Sequence, residues 1–204
     1  VILGTYSYSK ENRLYVGYED LSPHLIHALI DTEDERFSEH SGIDARALAR
    51  AIVKRGILMQ KNAGGGSTIT QQLAKQFYSE QAGSTLERAM QKPIEWVIAV
   101  QLERYYTKEE ILTMYLNKFD FLNNAVGIKT AANTYFSKEP KDLNVLEAAT
   151  LVGMCKNPSY FNPRRFNDRT RERRNVVLGQ MQKAGHLTAA EADSLKKEPL
   201  ELKY

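Results

Sequence analysis

Along this chain a short polar residue is repeatedly followed three positions later by Glu or Gln: Thr68 with Gln71, Ser84 with Glu87, Thr107 with Glu110, Thr188 with Glu191. Asn144 stands the same way before Glu147. Such pairs open helices, because the first side chain accepts a backbone N–H of the first turn and the second reaches back to the cap. The stretch SPHLIHALIDT adds another start. Ser22 can cap it, Pro23 suits its first turn, and Ile26, Leu29, Ile30 and Phe37 recur at helical spacing. Gly185 follows a basic helix and can close it in the left-handed conformation. Breaks fall at QKNAGGG (60–66), at NPSYFNP (157–163) and at Pro93, which kinks or restarts a helix. Only TYSYSKENRLYVGY (5–18) alternates, around a polar KEN turn, and it reads as a β-hairpin. The expectation is a mostly α fold with a short N-terminal β-hairpin, a small appendage over about residues 1–20 of one 204-residue domain.

Composition bounds the partners. Hydrophobic residues at 42% and charged residues at 26% are those of a globular chain, and a net charge of +3 asks for no more than an anionic partner. Cys155 is the single cysteine, so no internal disulfide forms and the compartment stays open. No run of about 18 apolar residues occurs, so nothing here reads as a bilayer span. The chain opens at Val1 without a signal peptide, as an excised piece would.

Four stretches could carry chemistry. In EDERFSEH, Glu33 falls where the apolar stripe from Ile30 to Phe37 asks for a leucine. Either it reaches water or Arg36 from the stripe's edge, or it is a carboxylate in a partly desolvated cleft, its proton affinity raised into the range useful for proton transfer. Asp34 and His40 set polar groups nearby, and Phe37 an apolar wall. In GGGSTITQQLAK (64–75), three glycines precede a helix N-terminus and let backbone N–H groups approach an anion. Thr68, Gln71 and Gln72 add hydrogen bonds and Lys75 a charge; no Gly-Lys-Ser/Thr follows, so it is not a P-loop, and a phosphate or sugar site competes with a plain capped helix. In ERAMQKPIEW (87–96), Arg88, Lys92 and Glu95 share helical spacing, as a surface salt bridge would. RRFNDRTRERR (164–174) holds six arginines and two acids; a solvated helix face accounts for it better than nucleic-acid binding. No zinc signature and no G-x-S-x-G occurs.

Taken in this order, the stretches resemble the glycosyltransferase domain of bifunctional penicillin-binding proteins, the peptidoglycan polymerases of glycosyltransferase family 51. The family's E-D-x-x-F-x-x-H-x-G is met by Glu33, Asp34, Phe37, His40 and Gly42, and its G-G-S-T-I-T-Q-Q-L-x-K by residues 65–75. YTKEEILTMYLN (106–117), GIKTAANTYF (127–136), LEAATLVGMCKNPSYFNP (146–163), RRNVVLGQM (173–181) and GHLT (185–188) look like its later motifs. Two departures stand out. The usual R-K-x-x-E reads Gln91-Lys92-Pro93-Ile94-Glu95, and the glycine-rich Y-F-G-x-G-A-Y-G becomes DFLNNAVG (120–127).

The resemblance implies a lysozyme-like α fold, a larger lobe plus a small membrane-proximal lobe over about residues 44–66. It implies an inverting enzyme that polymerises lipid II into β-1,4-linked glycan and releases undecaprenyl pyrophosphate. Glu33 would be the base. Asp34 and His40 would shape the site over Phe37. Thr68, Gln71, Gln72, Lys75, Arg88 and Lys92 would hold the donor's phosphates and sugars, and Glu95 would orient that cluster or bind a divalent ion such as Mg or Mn. No organic cofactor is implied. The partners would be lipid II, the growing chain, a membrane surface and the inhibitor moenomycin, with no nucleic acid. The setting would be the outer face of the bacterial cytoplasmic membrane, with an anchor helix and a transpeptidase domain beyond this chain. RAIVKRGILMQK (50–61) is either a helix packed inward or an interfacial segment, and the resemblance favours the second. A neighbouring reading, glycan cleavage with Glu33 as acid, uses the same fold.

Overall fold

Capping decides where the helices begin. In the computed structural model, which describes residues 14–53, 66–78 and 85–203, Thr107, Asn144 and Thr188 each accept the N–H of the Glu three residues on, and that Glu bonds back. Among the described residues the helices are α1 (Pro23–Glu33), α2 (Ala45–Ile52), α3 (Ile69–Tyr78), α4 (Thr85–Tyr105), α5 (Lys108–Lys118), α6 (Ile128–Phe136), α7 (Val145–Cys155), α8 (Asn167–Lys183) and α9 (Ala189–Lys197). Gly185 takes φ +85 just past α8, where the His186 N–H reaches Met181 O and the Gly185 N–H reaches Gln182 O, a Schellman closure. The described residues form no strand, only an isolated bridge between Asp120 and Val126. The expected hairpin lies mostly outside them, as do Ser84 and most of the 50–61 segment.

Two local expectations are corrected by packing. Ser22 stands at the N-cap of α1 without capping it; its hydroxyl donates to Leu143 O at 2.8 Å and pins α1 to the chain entering α7. Pro93 does not restart a helix: α4 runs through it from Thr85 to Tyr105. Proline removes one rung of the hydrogen-bond ladder, and α4, which packs against α3, continues across the gap.

The centre of the molecule is α7. Every residue from Glu147 to Cys155 is buried, as in a helix surrounded by others. It packs against α8 and α1, while α3 packs against α4 and α5. Leu25 and Leu29 from α1, Ile69 and Leu73 from α3, Ile111 and Tyr115 from α5, and Leu151 and Val152 from α7 share one core. Each such apolar side chain contributes about 1.5–3 kcal/mol by leaving water. Gly153 sets the spacing on one side: a Cβ there would meet Arg173 Cγ at 3.2 Å, so its absence lets α8 lie close to α7.

Candidate active site

Glu33 is the last residue of α1, and the chain turns away just after it. Asp34 closes the helix with its N–H on Ile30 O at 2.9 Å, then accepts the Phe37 N–H at 2.8 Å. The turn leaves the Glu33 side chain at the helix end, 16% exposed. Three helices converge on it. Gln72 of α3 donates from Nε2 to Glu33 Oε2 at 2.9 Å, and an Arg173 terminal nitrogen of α8 stands 3.6 Å from Oε1. Tyr115 of α5 donates from its hydroxyl to Gln72 Oε1 at 3.1 Å.

Asp34, buried, holds the backbone of this corner. It accepts from the Ile69 N–H at 3.0 Å, at the N-terminus of α3, and from His40 Nε2 at 2.9 Å. The Gly42 N–H donates to His40 Nδ1, so the ring proton sits on Nε2. Phe37 is buried, with Lys108 Nζ 4.3 Å from its ring centre, and the same Nζ donates to His40 O at 2.7 Å. Thr68 and Gln71, both buried, cap α3 reciprocally, and the Thr68 hydroxyl donates to Gly42 O at 2.7 Å. Both side chains are thus hydrogen-bonded within the cap of α3.

Lys92 lies on the other side of the α3 N-terminus. Its Nζ pairs with Glu95 Oε2 at 2.8 Å and donates to Ser67 Oγ at 3.2 Å, remaining 35% exposed while Glu95 is buried. The first turn of α3 therefore separates a carboxylate, Glu33, from a cation, Lys92. Lys75 is exposed one turn further on, and the side chain of Arg88 lies outside the described residues. Among the described residues no group of three or more His, Cys, Asp or Glu side chains gathers that could hold a metal ion. Among the described residues Glu95 is engaged by Lys92 as an ion pair.

Burial shapes the ground behind Glu33. It raises the Tyr115 hydroxyl well above its usual range, with Cys155 and Glu33 adding to the effect, and it pushes the Cys155 thiol up as well. It lowers Arg173, against the opposing pull of Glu33. The buried Nε of Arg173 has no hydrogen-bond partner, an unspent donor on the guanidinium that faces Glu33.

A profile described as transglycosylase matches residues 1–182. The chain belongs to this family, glycosyltransferase family 51. The chain is 42% identical over 182 residues to penicillin-binding protein 1F of Bacillus subtilis, covering 89% of the chain and 25% of that protein. It is 37% identical over 201 residues to penicillin-binding protein 1A of Pseudomonas aeruginosa, covering 97% and 23%. The crystal structure of penicillin-binding protein 1A from Haemophilus influenzae superposes with a TM-score of 0.56 at 25% identity, over 95% of this chain and 18% of that one. The fold is thus mostly α and lysozyme-like, and the chain spans about a quarter of the length of the curated relatives it matches.

Sequence reasoning assigned no role to Arg173 or Tyr115. A signal for Arg173 was present. On α8, Arg169 and Arg173 are four apart and Arg171 and Arg174 three apart, which sorts them onto two faces. Arg169 stacks on Tyr160 and Phe166, and Arg173 faces Glu33; Arg171 and Arg174 donate to the carbonyls of Lys197 and Glu198 at 2.6 Å. Arg174 is 1% exposed, so only part of the run is a solvated face: Arg164, Arg165 and Glu172 are exposed, Arg174 is not.

Proposed function

We propose that this transglycosylase is a peptidoglycan glycosyltransferase of cell-wall synthesis, which extends glycan strands from lipid II with inversion. The observation that carries the reading is the Glu33 carboxylate, held by Gln72 and faced by Arg173 within the E-D-x-x-F-x-x-H-x-G motif. Glu33 takes the proton of the acceptor's 4-hydroxyl as that oxygen bonds to the donor's anomeric carbon. The bond from this carbon to the pyrophosphate oxygen breaks, and undecaprenyl pyrophosphate leaves. Lys92, with Glu95 and Ser67 fixing its direction, meets the charge that develops on the leaving group. The Arg173 terminal nitrogen, 3.6 Å from Glu33 Oε1, supports a role toward the base's carboxylate. Moenomycin, a phosphoglycolipid, would place its phosphate at Lys92.

The setting we propose is the outer face of the cytoplasmic membrane. Among the described residues no helix is long and apolar enough to cross a membrane, so the anchor would lie elsewhere in the protein. The segment 50–61, most of it outside the described residues, would meet the membrane surface.

The deciding experiment is Glu33→Gln assayed with lipid II and, separately, with finished glycan. A general base contributes about 10²–10⁴-fold, so polymerisation should fall by that much with the melting temperature retained. Polymerisation within a few-fold of the unmodified protein would remove Glu33 as base. Cleavage of finished glycan that depends on Glu33 would support a hydrolytic or lytic enzyme instead.

A further inference from the structure

Resting on the reading of Glu33 as base, we infer that Tyr115 is a positioning residue for the reaction, acting on Glu33 through the Gln72 amide. The geometry is a chain of two donors. The Tyr115 hydroxyl donates to Gln72 Oε1 at 3.1 Å, which obliges the amide to present Nε2, and that nitrogen donates to Glu33 Oε2 at 2.9 Å. An amide has one donating and one accepting end. If it were turned over, its oxygen would face the carboxylate oxygen and the contact would become repulsive. The Glu33 carboxylate favours the same orientation from its side, and the Tyr115 ring, fully buried against the core and unable to swing away, fixes it from the other. Its hydroxyl also stays protonated across the working range, because burial raises it well above its usual value, so the donor does not switch off. The buried Cys155 thiol is the hydroxyl's other hydrogen-bond partner, and with the single hydroxyl proton on Gln72 it meets the lone pairs of the phenol oxygen.

Orientation of the amide matters because the acceptor hydroxyl must find one defined oxygen of Glu33. With Oε2 taken by Gln72 and Oε1 faced by Arg173 at 3.6 Å, the looser oxygen is the one left for the substrate proton. Tyr115 thereby selects which oxygen acts, from a place where it touches no substrate.

The test is a double-mutant cycle of Tyr115→Phe and Gln72→Met, with Glu33→Gln run alongside, in lipid II polymerisation as a function of pH. Tyr115→Phe should lower kcat about ten- to hundredfold, the range of one hydrogen bond linked to a charged group, while leaving KM within about twofold. The acid limb of its kcat profile should move to higher pH, since a carboxylate that loses its donor is protonated more readily. In the Gln72→Met background, Tyr115→Phe should have little further effect. If Tyr115→Phe does not fold, Gln72→Met alone must show the same kcat loss and the same move of the acid limb. Additive effects, a rise in KM with kcat unchanged, or an unmoved acid limb would overturn the inference while leaving the base intact. Activity retained in Glu33→Gln would overturn both.

Discussion

Arg173 meets Glu33 at 3.6 Å, too long for a hydrogen bond, so charge carries the contact, and with side chains only 11% and 16% exposed that charge is weakly screened. Burial lowers the guanidinium from its usual range and Glu33 opposes the fall, so the arginine stays a cation. Its position depends on one atom's absence, the Cβ of Gly153, which would press on Arg173 Cγ. Arg173→Gln should keep the stem and remove the charge. Turnover of lipid II is expected to fall about tenfold or more, since a fixed charge beside the reacting centre is lost, with little change in melting temperature because Glu33 keeps Gln72 and partial exposure. Steady-state rates and thermal melts on one preparation check this; unchanged turnover would leave Arg173 as packing alone.

At the scale of an element, the turn between α5 and α6 carries strain of its own. Leu122, Asn123 and Asn124 take φ of 61°, 52° and 63°, where the family pattern has glycine at the first and third of these places. Asparagine tolerates this conformation, and Asn123 secures it by donating from Nδ2 to the Tyr135 hydroxyl at 2.9 Å. Leucine does not tolerate it; the left-handed region costs an ordinary residue about 1–2 kcal/mol. The closing bonds, Ala125 N–H to Leu122 O at 2.8 Å and Phe121 N–H to Ala125 O at 2.9 Å, hold it there. Leu122→Gly should relieve the strain and return part of the gain as backbone entropy, a net stabilisation of up to about 1 kcal/mol. For a domain of this size that is a rise in melting temperature of about 2–4 °C. A fall on calorimetry would mean that the leucine side chain's packing outweighs the strain.

Across the whole molecule, α1 is tied to the far end of the chain by a titratable joint. His186, just past α8, bonds Asp31 at 2.7 Å, and its ring stacks on His27 at 3.9 Å between centroids. Burial raises Asp31, with His186 opposing; burial lowers His27, and the charge of His186 lowers it further, while Asp31 pulls the other way and His24 adds to the fall. The two contributions run in opposite directions. The stability linked to His27 is present above its ordinary value of 6.5 and is lost as pH falls through the lower folded value. That linked to Asp31 is present below 3.8 and is lost as pH rises through its raised folded value, a more acidic window. As pH falls from 7 through 6.5 the histidine's window is the first to open. Melting temperatures of the unmodified protein should therefore fall between pH 7 and 5 more steeply than those of His27→Gln; parallel curves would show that the stack carries no linkage.

The starts of α3, α5, α7 and α9 were readable because a capping pair is local: side chain and backbone partner lie three residues apart, and no other part of the fold is needed to bring them together. Glu33 was visible for a similar reason, as a carboxylate interrupting a helical stripe, and the motifs around it marked the family. The company Glu33 keeps was not readable. Gln72, Tyr115 and Arg173 come from three different helices, and only the packing of α3, α5 and α8 about α7 and α1 brings them to one carboxylate. The same packing turned the Ser22 hydroxyl to a carbonyl 121 residues away, carried α4 through Pro93 and split the arginine run between Glu33 and the end of α9. Local hydrogen bonds set where helices begin, whereas long-range burial, in which each buried polar group must find a partner wherever the core allows, decides what their side chains do.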